Sequence, residues 1–133
     1  MTDKKVVREW LEEAAEDYGF AAINLEDQDQ DQFFRKICFH FQQATEKYLK
    51  AFVVAKGLPF RKIHDLAELV RMCQKVDPSF GGITQEAECL TDFYVDTRYP
   101  AHWPMEIDRN EVEKAKNAAE RIKLFIEEKL KDI

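Results

Sequence analysis

Over residues 32–56 the side chains of Phe34, Ile37, Phe41, Ala44, Tyr48, Phe52 and Ala55 recur every three or four positions, the spacing that lines one face of an α-helix. Four further apolar residues, Phe39, Leu49, Val53 and Val54, fall off that stripe. A helix apolar on more than one side lies at the centre of a bundle or at an interface. A chain with such a segment needs other amphipathic helices to cover it, and the rest of the sequence supplies them. No run alternates with the period of a strand, and no internal repeat is visible.

Residues 3–25 carry Val7, Trp10, Leu11, Ala14, Tyr18, Ala21 and Leu25 on one stripe. Glu12, Glu13, Glu16 and Asp17 lie beside it, on a face expected to be solvated. The tract 27–32 alternates Asp and Gln and reads as a loop, because it lacks the Gly turn and closing acid of a cation-binding loop. Gly57 and Pro59 end the second helix. A third helix is expected over 65–75, with Leu66, Leu69, Val70 and Cys73 inward and a stop at Asp77-Pro78, followed by a turn at Gly81-Gly82.

A fourth helix over 84–97 should bury Ile83, Ala87, Leu90 and Tyr94. It has to stop near Arg98, since Tyr99 precedes Pro100 and is driven to extended geometry. Residues 99–107 then form an ordered, non-helical loop containing His102 and Trp103. The last helix has the clearest start, with Asp108 as N-cap, Glu111 completing a capping box and Ile107 packing on Val112. It runs on through Ala115, Ala119, Ile122 and Ile126 to about residue 131. Long helices joined by short connections predict an all-α, up-and-down antiparallel bundle of four to five helices, in a single domain over 1–133.

At 133 residues the chain is long enough to bury roughly two-thirds of its unfolded surface without a disulfide or metal. A net charge of -6 excludes a broadly basic nucleic-acid surface but leaves room for a local basic cleft. Cys38, Cys73 and Cys89 are odd in number, contain no CxxC pair and sit among apolar residues, so they read as reduced core thiols. No metal and no cofactor are expected. The charged N-terminus and the lack of a long apolar run predict no membrane association and a cytoplasmic location.

Chemistry has few candidate carriers. His40 reads as a packed or surface histidine. Asp65 is the N-cap of the third helix, which leaves the neighbouring His64 unexplained. Arg98 and His102 flank a Pro-constrained turn. Phosphodiester cleavage without a metal needs a proton-transfer group and a fixed cation, which a His and an Arg can supply. The same pair can also be an Arg complementing a helix dipole, followed by a packed loop histidine. On the polar side of the second helix, Glu46 and Lys50 form an i,i+4 pair with Gln43 nearby, which reads as an ordinary solvated face.

Gln42-Gln43-Ala44, Glu46-Lys47, Leu49-Lys50-Ala51, then His64-Asp65-Leu66, then Tyr94 and Arg98-Tyr99-Pro100 occur in that order on successive helices. With Trp10 and Ala14 in the first helix and the alanines of the last, this succession resembles the HEPN family, the higher-eukaryote and prokaryote nucleotide-binding domains. The resemblance covers nearly the whole chain. It implies a homodimeric helical bundle encoded beside a small nucleotidyltransferase as a toxin and antitoxin pair. It also implies a metal-independent ribonuclease, in which Arg98 would stabilise the phosphorane-like transition state. His102 would assist attack by the ribose 2′-hydroxyl or protonate the leaving oxygen. Nucleotide or RNA binding would fall to His64, Tyr99, Lys47 and Lys50. Only Tyr99, Pro100 and Ala101 separate Arg98 from His102, a shorter link than the family's ribonucleases usually have. Members without a working pair act as non-catalytic nucleotide- or protein-binding modules, so that alternative stays open.

Overall fold

The computed structural model describes residues 3–27, 33–59, 64–91, 93 and 107–133. Among them are five α-helices and no strand: α1 (Lys4–Glu26), α2 (Phe34–Ala55), α3 (Leu66–Gln74), α4 (Thr84–Thr91) and α5 (Arg109–Lys129). A stretch of 3-10 helix, Pro78–Ile83, joins α3 to α4. The expected all-α antiparallel bundle is therefore what forms. The expectations for the tract 28–32, for Tyr94 and for the loop 99–106 lie outside the described residues.

Helix starts are set by carboxylates. Asp3 accepts from the amides of Lys5 and Val6, Asp65 from Glu68 and Asp108 from Glu111 at 2.8 Å. Each satisfies an N–H that has no partner within its helix and puts negative charge at the positive end of the dipole. At the end of α2, Gly57 takes a φ of 64°. Its amide bonds to the Val54 carbonyl and that of Leu58 to Val53, the pair of reversed bonds that closes a helix through a left-handed residue. The Gly81-Gly82 pair is not an open turn but part of the 3-10 helix, which begins with Asp77 accepting from the amide of Ser79 and Pro78 at its first position.

α2 is the pole of the bundle and packs against α1, α3, α4 and α5. Phe41, Tyr48 and Phe52 on the main stripe are buried, and so are Leu49 and Val53 from off it. Phe80 is sandwiched between Phe52 at 4.5 Å and Phe125 at 4.8 Å between ring centroids, which joins α2, the 3-10 helix and α5. No helix among the described residues is long and apolar enough to cross a membrane.

Two expectations about the surface are corrected. Cys38 and Cys73 are buried, but Cys89 is exposed, because α4 is covered along the Ala87 and Leu90 side only. The polar side of α2 is not a solvated face: Gln42, Thr45, Glu46 and Lys50 are all buried.

Candidate functional site

Buried polar side chains must find partners or cost free energy; on α2, Gln42, Glu46 and Lys50 find theirs at His64 and among themselves, whereas the buried Tyr48 hydroxyl has none among the described residues. The Thr45 hydroxyl donates to the carbonyl of Phe41, one turn back on its own helix. Gln42 donates from Nε2 to the backbone carbonyl of His64 at 3.3 Å and accepts from Gln43 at 2.7 Å. Glu46, with its side chain only 6% exposed, accepts on Oε2 from Lys50 Nζ at 2.9 Å and faces His64 Nδ1 with Oε1 at 2.9 Å. The Lys50 ammonium also lies 6.0 Å from the centre of the Trp10 ring of α1.

A buried ion pair is tolerated when its geometry is good and the remaining lone pairs are satisfied. Glu46 meets this requirement with one cation on one oxygen and an imidazole on the other. A carboxylate that is ionised only accepts, and against it His64 Nδ1 is the donor. The His64 side chain is 43% exposed, so the ring is anchored from the buried side while part of it reaches the surface. Asp65 immediately caps α3, which fixes the chain direction just after the histidine. Chemically, the arrangement is an oriented proton-transfer group backed by a buried carboxylate.

Lys50 and His64 are thus brought together, on Glu46. Lys47 is not with them. One residue on from Glu46 along α2, it turns to α1, with Nζ 2.7 Å from Asp17 Oδ2 and 3.5 Å from Glu13 Oε2. Asp17, expected on a solvated face, is half-buried in this contact and also lies 3.6 Å from His40 Nδ1. His40 packs edge-on against Phe20 and Phe39, in keeping with a packed histidine. Arg98, Tyr99 and His102 lie outside the described residues. Among the described residues no group of His, Cys, Asp or Glu is arranged to hold a metal ion.

Glu46 is the residue that reading the sequence passed over, treating it as half of a surface helix pair. A signal was present. Gln42, Glu46 and Lys50 are spaced four apart on a helix that also carries Phe39, Leu49 and Val53 off its main apolar stripe, and polar groups on a helix buried on several sides have to find partners.

The model of the HEPN domain matches residues 7–129. TT1696 from Thermus thermophilus, known from its crystal structure, is 32% identical with a TM-score of 0.77, over 93% of this chain and 98% of that one. ST0689, an archaeal HEPN homologue, has the same fold, with a TM-score of 0.72 at 23% identity over 92% of this chain and 96% of its own. No curated protein matches the chain. A family match running from within α1 to the end of α5, on a bundle whose central helix carries the Gln-Glu-Lys series, shows that the chain belongs to the HEPN family.

Proposed function

We propose that this chain acts as a single HEPN domain over residues 1–133, in RNA or nucleotide transactions, with a nucleotidyltransferase partner in a toxin–antitoxin-like system. In this reading it is a cytoplasmic homodimer and a metal-independent ribonuclease. Arg98 offsets the charge that builds on phosphorus during cleavage, and His102 moves a proton to or from a ribose oxygen. His64, Tyr99, Lys47 and Lys50 contact the nucleotide or RNA. The observation that supports the reading is the His64 imidazole held by buried Glu46 at 2.9 Å with 43% of its side chain exposed, a fixed polar group at the surface suited to a nucleotide contact. The test is cleavage of single-stranded RNA by purified protein in EDTA. Cleavage is expected from the wild type and none from Arg98→Ala; undiminished cleavage by that variant refutes the assignment.

A second reading, a non-catalytic nucleotide- or protein-binding module, is favoured by a different observation. Lys47 is engaged by Asp17 and Glu13, and Lys50 by Glu46, so neither ammonium can turn to a phosphate without giving up a carboxylate, which favours the protein-binding form of this module. Titration with a nucleotidyltransferase and with ATP distinguishes this reading, and failure to bind either removes it.

A further inference from the structure

The outward side of α1 is left bare by the bundle. Glu9, Glu13, Glu16, Phe20 and Ile23 follow one another at spacings of four, three, four and three, so they share one stripe of the helix, turned away from the buried Val7, Ala14, Ala21 and Leu25. Phe20 is 53% and Ile23 70% exposed. The Phe20 ring stands 4.7 Å from that of His40 on α2, so the apolar ground reaches from one helix to the next. Scattered exposed apolar side chains are ordinary, but neighbours on one face form a patch suited to a contact.

The other half of the stripe is acidic. Glu9, Glu12, Glu13 and Glu16 are exposed and stand three or four positions apart, where like charges repel. The helix dipole does not offset this, because it favours acids in the first turn only, and that turn of α1 holds none. Among the described residues Lys47 reaches Glu13 at 3.5 Å, while Glu9, Glu12 and Glu16 enter no ion pair. The carboxylates are not arranged to hold a metal ion either.

We propose that this face docks a cationic amphipathic helix of another protein. The helix lies along α1, with apolar side chains on Phe20 and Ile23 and Lys or Arg side chains on Glu9, Glu12 and Glu16. Charge decides the occupant. A nucleic acid would bring phosphates against the carboxylates. A second copy, itself at a net charge of -6, would in a two-fold contact set the acidic stripe against its own duplicate. A basic helix relieves the repulsion, takes the apolar pair out of water and is steered to the site by its charge. Phe20, Ile23, Glu12 and Glu16 are not among the residues assigned to RNA, so docking here is separable from cleavage.

The probe is a synthetic helical peptide of about 18 residues, or about five turns, with lysines along one half of a face and leucines along the other half. Its controls are a scrambled peptide of the same composition and one with glutamate in place of lysine. Calorimetry with the full-length chain should show binding of the probe and not of the controls, and amide shift changes should concentrate between Glu9 and Ile23 and around His40. Raising salt from about 0.1 to about 1 M, which shortens the screening length from about 10 to about 3 Å, should weaken binding. Ile23→Ser, and separately Glu12→Lys with Glu16→Lys, should each weaken it about tenfold or more, as expected of central contacts.

These positions are exposed, and circular dichroism checks that the variants fold; if Ile23→Ser does not, Phe20→Ala takes its place. Undiminished binding by a folded variant, equal binding of either control, shift changes centred on another helix or no binding at all would each overturn the docking face. Self-association in sedimentation that Ile23→Ser abolishes would assign the face to a second copy and overturn the cationic partner.

Discussion

Lys47 Nζ sits 2.7 Å from Asp17 Oδ2, on a different side of α2 from the contact that the preceding residue, Glu46, makes with His64. One step along a helix rotates a side chain by about 100°, so two adjacent charges serve two different neighbours, α1 and the entry to α3. This divides the polar residues of α2 into one group that fastens the bundle and another that anchors an imidazole.

The fastening group should reveal itself at high pH. Burial pulls the Lys47 pKa down, but the hydrogen bond and charge of Asp17, with Glu13 adding to them, outweigh burial and raise it above 10.5. A basic group raised on folding contributes stability that is complete below its unfolded pKa and lost as pH rises through the folded one. Lys47→Met should therefore lower stability at neutral pH by about 1 kcal/mol or less, since the pair is partly solvated. Urea midpoints across alkaline pH should show the gap to wild type closing only above the ordinary lysine value.

Asp77 should produce the opposite trend. Lys129 Nζ at 2.8 Å and Ser79, through both its hydroxyl and its amide, hold its carboxyl at about 2, below the usual 3.8. An acid lowered on folding contributes stability that is complete above its unfolded pKa and lost as pH falls through the folded one. Asp77→Ala should cost about 1 kcal/mol at neutral pH, the usual value of a lost cap. Denaturation midpoints of the two proteins should converge as pH drops from 3.8 towards 2, and a gap that persists at the acid end would contradict the assignment.

Truncating Glu46 alone should be far more damaging than truncating a surface acid. Glu46→Ala takes the carboxylate from a Lys50 side chain that is 8% exposed, and breaking a buried pair from one side costs about 3–5 kcal/mol. Thermal melts should place Glu46→Ala well below the double variant Glu46→Leu with Lys50→Met. Equal losses would mean that the pair is not buried as described.

Thiol chemistry should separate the three cysteines. Burial pushes the Cys38 and Cys73 thiols up to about 12, and only the thiolate reacts readily. Cys89 is exposed. A thiol reagent at mildly alkaline pH should label Cys89 in the native protein and all three residues after denaturation. Rapid native labelling of Cys38 would indicate that α2 opens locally.

The sequence made legible what is local or periodic. Asp65 and Asp108 mark their helix starts because a cap acts within three residues, and Gly57 marks the end of α2 because the closing turn needs a left-handed residue there. The off-stripe Leu49 and Val53 foretold a central α2, since burial on several sides leaves a compositional trace. What escaped depends on the chain folding back. Asp17 looked solvated because a helix's own periodicity cannot tell which neighbour carries a lysine. The contact of Glu46 with His64 spans 18 positions and needs the packing of α3 on α2. Cys89 lies beside apolar residues in sequence but on the uncovered side of a helix.

The anchors of His64 lie on α2 itself, one turn apart, among the side chains that make up the middle of the bundle. In an amide-exchange experiment the backbone of Glu46 and Lys50 should therefore be among the last to take up deuterium, surrendering protons only when the whole molecule unfolds. An imidazole seated on such a footing stays aligned through every lesser fluctuation, and selection cannot loosen its grip without loosening the protein.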